Sequence, residues 1–210
     1  MSTTHYSENP SAFPMEAGCC CGFVRLRLEQ APMAVHCCHC TSCQRETGSA
    51  FSPNIIIETS SVTRLPPAAP TVPAYPGAPQ VLPPARPSLH DGQDDGSELV
   101  RTRIPSESGD GQIVMRCPKC LNAVWCEYKN LGPTVMFIKG GTLDRAWLLE
   151  PDVHIFVRSK RQFVDISDGK PRFEGYYDST ESFWRPESLK RWANLLPGFV
   201  SYRESRKDDE

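Results

Sequence analysis

Between Phe23 and Glu29 the chain alternates apolar and charged side chains, the period-two pattern of a half-buried strand. A second strand is expected over 33–36. A third, over 53–58, carries Ile55, Ile56 and Ile57 in succession. Ordered text resumes at Ile113, and 123–128, 134–139 and 153–157 read as further strands, with Gly140-Gly141 and Asp168-Gly169 marking turns. Two stretches read as helical. One is a short turn after Cys43 running through Glu46. The other covers 187–196, with Pro186 near its first turn and Pro197-Gly198 ending it. Leu189, Trp192, Leu195 and Leu196 form a stripe on that helix, expected to dock on the body. The pattern predicts a mainly β protein with a short C-terminal helix and no internal repeat.

Composition divides the chain. Residues 1–16 read as a flexible polar leader, 17–180 as the folded body, and 181–210 as the helix with a charged tail. The body is interrupted at 59–112, where nine of the 22 residues from Pro66 to Pro87 are proline. Proline donates nothing to a sheet ladder, so this insertion is expected as a solvated surface excursion of polyproline character. A proline-rich ligand for a partner is the alternative reading of this stretch. Over all 210 residues, 39% are hydrophobic and 23% charged, with a net charge of −2. That balance is globular and gives no reason to expect nucleic acid or an anionic membrane as partner. No apolar run is long enough to span a bilayer, and the first residues lack a basic and an apolar signal region. The expected location is the cytoplasm, or the nucleus.

Ten cysteines change the picture. In a reducing compartment, clustered cysteines read as metal ligands or catalytic groups rather than disulfides. Nine of them fall in three groups: Cys19-Cys20-Cys21, Cys37-Cys38-His39-Cys40-x-x-Cys43, and Cys117-x-x-Cys120. The last is a zinc knuckle by spacing. Its partner could be Cys40-x-x-Cys43, as in a zinc ribbon, or Cys19-x-Cys21, and spacing leaves both open. Cys19, Cys21, Cys38, Cys40, Cys43, Cys117 and Cys120 are seven well-spaced ligands. Four plus three is the natural partition, and a three-thiolate site keeps an open position, the catalytic form of zinc coordination. Cys20, Cys37 and Cys126 then read as buried small residues. His39 is a candidate fourth ligand that would close the second site. The Cys37-x-x-Cys40-x-x-Cys43 run imitates an iron–sulfur motif but lacks its C-x₃-C-P continuation.

The order Gly18-Cys19-x-Cys21-Gly22-x-Val24-Arg25 and Cys38-His39-Cys40-x-x-Cys43-Gln44-Arg45-x-x-Gly48 resembles the glutathione-dependent formaldehyde-activating enzymes, which share a domain with centromere protein V. The resemblance continues through Cys117-x-x-Cys120, Gly140-Gly141-Thr142-Leu143-Asp144, Pro151-x-x-His154 and Pro171-Arg172-Phe173-Glu174-Gly175, over about 17–175. It implies a β-tent fold tied together by two zinc ions. Cys19, Cys21, Cys117 and Cys120 would hold a structural ion, and Cys38, Cys40 and Cys43 a catalytic one. It further implies a carbon–sulfur lyase activity, joining formaldehyde to glutathione as S-(hydroxymethyl)glutathione. Leu121 stands where the family usually has glycine, and the proline-rich insertion separates the two metal-bearing halves. Beside the site, Arg45 is a candidate partner for a substrate carboxylate, while His154, within an apolar strand, is expected as a hydrogen-bonded structural residue. A non-catalytic zinc module for protein interaction is the alternative reading.

Overall fold

The computed structural model describes residues 4–68, 96–109 and 111–205. Ten strands and two α-helices follow in chain order. They are β1 (Met15–Gly18), β2 (Arg25–Leu28), β3 (Ala34–Cys38), α1 (Thr41–Thr47), β4 (Ser52–Glu58), β5 (Val62–Leu65), β6 (Val100–Ile104), β7 (Gln112–Arg116), β8 (Ala123–Tyr128), β9 (Val135–Lys139), β10 (Val153–Ile155) and α2 (Pro186–Glu204). The class is mainly β, as the periodicity predicts. A seven-stranded sheet runs β10-β3-β4-β9-β8-β7-β6, and a three-stranded sheet runs β1-β2-β5. Every pairing is antiparallel except that of β10 with β3.

The apolar runs of β4 and β9 follow from what covers each face. Ile55, Ile57, Met136 and Ile138 join Met15, Leu26 and Leu28 of the small sheet in one core. Ile56, Val135 and Phe137 point the other way, into a second core with Trp184 and Phe199. A strand buried on both sides loses the apolar–polar alternation and becomes a continuous apolar run. α2 closes the second core and departs from its expected end. It continues past Pro197 to Glu204, because burying Phe199 against the sheet outweighs one lost backbone bond. Leu196, expected in the docking stripe, is exposed, while Leu189, Trp192 and Leu195 pack as expected.

The leader is also not free. Tyr6 and Ala12 are buried, His5 and Tyr6 both bond Asp152, and β1 begins within the segment at Met15. Of the segment 59–112, the flanks form β5 and β6, which pair with β2 and β7. Most of its proline-rich stretch, 69–95, lies outside the described residues.

Two features of the hairpin ends set up the site. Arg25, 1% exposed, places Nη1 2.9 Å from Asp144 Oδ1 and Nη2 2.8 Å from Glu16 Oε2, pinning β2 to the turn after β9. Beside it a Cβ on Gly18 would sit 2.3 Å from the Val24 carbonyl oxygen, so only glycine fits there. At the β7–β8 turn, Leu121 adopts a left-handed φ of 60°. The turn expected from a glycine is therefore kept, at the cost of a Cβ in a crowded conformation.

Removing one partner of a buried ion pair leaves an uncompensated charge. Asp144→Ala should therefore lower unfolding free energy by roughly 3–5 kcal/mol in denaturant titration. Leu121→Gly should act the other way. The side chain is 58% exposed, so little packing is lost, and relief of the left-handed strain should raise stability by about 0.5–1 kcal/mol. An unchanged or lower midpoint would contradict the turn analysis.

Candidate metal centre

The β1–β2 connection and the β7–β8 turn are two tight knuckles. In the first, Cys19 N–H bonds the Val24 carbonyl, and Val24 N–H donates to Cys19 Sγ at 3.2 Å. In the second, Leu121 N–H closes on the Cys117 carbonyl, and Lys119 N–H donates to Cys117 Sγ at 3.4 Å. Cys20 N–H reaches across to Asn122 Oδ1. The knuckles meet, bringing Cys19, Cys21, Cys117 and Cys120 within 4.8 Å of one another. Cys19 Sγ lies 3.5 Å and Cys117 Sγ 3.6 Å from Cys21 Sγ. Tetrahedral zinc with Zn–S near 2.3 Å would place its sulfurs about 3.8 Å apart. Of the two pairings that spacing left open, the fold therefore brings together the one with Cys19 and Cys21. Burial would raise the Cys120 thiol. The Asn122 and Cys21 N–H groups and the neighbouring thiols instead bring it down to about 7, a site that readily gives up a proton.

Cys38, Cys40 and Cys43 form the second group, also within 4.8 Å. Cys38 ends β3, Cys40 caps α1 with its sulfur accepting Cys43 N–H at 3.3 Å, and Cys43 lies inside the helix. All three are buried. Hydrogen bonds from the Cys38 and Cys43 thiols pull Cys40 far below the ordinary thiol range, and its thiolate pushes Cys38 up. The cluster thus holds one negative charge comfortably. Three adjacent thiolates in a buried place need a cation to offset their repulsion. Donor chemistry and spacing in both groups fit an ion of the zinc class.

Cys38 and Cys40 form part of the wall of a cavity of about 540 Å³. Its other walls include His36, Asn54, Gln112, Phe137, Arg158 and Tyr176. Gln112 is 2% exposed, and neither polar atom of its side chain has a partner among the described residues. Ser106, Glu107 and Ser108 reach the rim from the C-terminal flank of 59–112. Glu107 accepts from Thr41 N–H at the start of α1, from Ser159 and from Arg158 Nε. Nothing in the local pattern of these residues marked them beforehand, because their place depends on β6 pairing with β7.

Arg45, His39 and Cys20 lie outside both sulfur groups. Arg45 is exposed and lines a separate surface depression with Gln44 and Arg161, so Arg158 is the arginine at the cysteine cavity. His39 does not join Cys38, Cys40 and Cys43. Strand alternation turns it, with Cys37, toward His154. Cys20 is exposed rather than buried, since it sits at the tip of a knuckle whose neighbours point inward, whereas Cys37 and Cys126 are buried as expected. His154 is hydrogen-bonded through both ring nitrogens, to His39 and to Asp168.

No helix among the described residues is long and apolar enough to cross a membrane. No curated relative matches the sequence. Among solved structures, the crystal structure of a Rhodobacter sphaeroides protein aligns over 76% of this chain and 99% of its own length. Its identity is 11% and its TM-score 0.37, a likeness too slight to bear on fold or function. Residues 14–72, which carry Cys19, Cys21, Cys38, Cys40 and Cys43, match the sequence pattern of the glutathione-dependent formaldehyde-activating enzyme family.

Proposed function

We propose that the protein is a zinc-dependent enzyme of the carbon–sulfur lyase type, acting on a glutathione adduct such as S-(hydroxymethyl)glutathione. The observation that carries this reading is the three-sulfur group, two of whose members, Cys38 and Cys40, line a cavity large enough for a small peptide thiol. The family match over 14–72 supports the substrate class. In this reading two zinc ions are held. Cys19, Cys21, Cys117 and Cys120 complete a closed structural site, and Cys38, Cys40 and Cys43 supply three ligands of a catalytic one.

When bound there, zinc supplies Lewis acidity and lowers the pKa of a neighbouring thiol. The reaction forms one S–C bond as the carbonyl π bond breaks, and the thiol proton ends on the hydroxyl oxygen; breakdown is the reverse. The chain's own groups bind and orient. Arg158, although paired to Glu107, faces the cavity with a half-exposed side chain and receives a carboxylate of the tripeptide. The unpartnered Gln112 amide matches a peptide group. Phe137, Phe156 and Trp192 exclude water. Tyr176 donates to Tyr177 Oη at 3.0 Å, and that hydroxyl lies 2.9 Å from His36 Nε2. These bonds hold the Tyr176 hydroxyl in place at the cavity wall.

Replacement of Cys40 by serine should lower acceleration of adduct formation by about two orders of magnitude or more, read by NMR exchange against the spontaneous rate. Its thermal transition should remain cooperative. Cys117→Ser should instead cost more than about 4 kcal/mol of stability, since structural zinc contributes directly to folding. Wild-type protein that leaves the spontaneous equilibration rate unchanged would sink the enzyme reading. Arg158→Ala should raise KM for the glutathione adduct about three- to tenfold with kcat little altered, because the lost contact is made equally in ground and transition states.

A further inference from the structure

Cys37 and His39 alternate with Cys38 and Cys40 along the end of β3, so they face away from the three-sulfur group. There they meet His154 of β10, and the three ligand atoms lie within 4.8 Å of one another with all three residues buried. His39 Nε2 is 3.7 Å from Cys37 Sγ and 3.0 Å from His154 Nδ1. The other nitrogen of His154 is 2.7 Å from Asp168 Oδ2. From this geometry we infer a third metal site, in which Cys37, His39 and His154 bind a divalent transition ion of the zinc class.

Three arguments support it. One is convergence. A tetrahedral ion with ordinary Zn–N and Zn–S bonds would set nitrogen and nitrogen about 3.3 Å apart, and sulfur and nitrogen about 3.6 Å. The observed separations, 3.0 Å between the nitrogens and 3.7 Å between sulfur and nitrogen, lie within about 0.3 Å of these values, and all three ligand atoms lie within 4.8 Å of one another. A second argument is the outer partner. Asp168 accepts the Nε2 proton of His154, leaving Nδ1 bare and aimed at His39, the carboxylate–histidine arrangement that orients metal-bound imidazoles. No such partner fixes His39. Its Nδ1 is buried with no hydrogen bond among the described residues, which leaves that nitrogen to carry the ring proton while Nε2 faces the site. The third is charge. Binding displaces the Cys37 thiol proton, and one thiolate plus the half-exposed Asp168 carboxylate behind His154 offset the charge of a dication.

The ion would join β3 to β10 and to the loop carrying Asp168. β10 is only three residues long; it pairs in parallel with β3 on one side and meets the 171–173 segment through a single His154–Arg172 bridge on the other. A short edge strand of that kind gains most from a cross-link. The proposed ion is independent of the catalytic reading, since none of its three ligands belongs to the two cysteine groups described above.

The test is metal stoichiometry, which requires no turnover. Full-length protein produced with zinc supplementation and purified without chelator is weighed intact by native mass spectrometry. Three zinc ions per chain are expected, falling by one in Cys37→Ser and by one in His154→Gln. Loading with Co²⁺ should also give a thiolate-to-cobalt absorption component that Cys37→Ser removes while Cys40→Ser leaves it. A wild-type count of two or fewer that is unchanged in Cys37→Ser overturns the site and leaves a metal-free hydrogen-bonded chain. Should either variant fail to fold, the wild-type count decides: three ions support the site, and two or fewer overturn it. Loss of an ion in Cys40→Ser alone would bear on the catalytic reading and not on this one.

Discussion

Free cysteine sulfurs buried within a few ångströms of one another, with no disulfide between them, are tolerable in two states. They stay protonated, sharing hydrogen bonds, or they ionise around a cation. Here the four-sulfur and three-sulfur groups each gather side chains from separate turns or elements of the chain. The four-sulfur group joins the tip of the small sheet to the far end of the large one, across 96 residues of sequence between Cys21 and Cys117. Each knuckle aims backbone N–H groups at its sulfurs, which favours the ionised form before any ion arrives. The rest of the molecule is arranged around keeping these ends together.

The large sheet does the positioning. Its middle strands are covered on one face by the small sheet and on the other by α2, so they are rigid and specify register strongly. β3, next to the β10 edge, carries the chemistry at its end. Period-two alternation there divides four consecutive residues between two environments. Cys38 and Cys40 face the cavity with the aromatic groups, and Cys37 and His39 face His154. A one-residue slip would exchange the two sets, which places a direct functional demand on the pairing of β3 with β4.

The cavity is built from distant parts of the chain. Gln112 and Glu107 arrive from the flank of the proline-rich segment, Arg158 and Tyr176 from the stretch after β10, and Trp192 from α2. The segment at 59–112 is therefore joined to the body on both sides rather than merely looped out of it. Gln112, whose buried amide has no partner among the described residues, marks where this wall carries an unmet hydrogen-bonding cost.

Much was legible in the chain before its fold. The strands at 23–29, 53–58 and 123–128 declare themselves by period or by β-branched runs, because burial on one or two faces acts locally on residue choice. The cysteine groups declare themselves as well, since ligands of one knuckle must lie two or three positions apart. Spacing could not say which knuckles share an ion, nor where His39 turns, nor which arginine faces the cavity. Those depend on strand register and on α2 covering the sheet, which also carries the helix through Pro197 when local propensity would stop it. Sequence by itself determined the ligand chemistry and the β-rich class, through short-range spacing and periodicity. Tertiary structure alone decided the grouping of ligands and the makeup of the cavity, because both are long-range contacts whose partners leave no local trace.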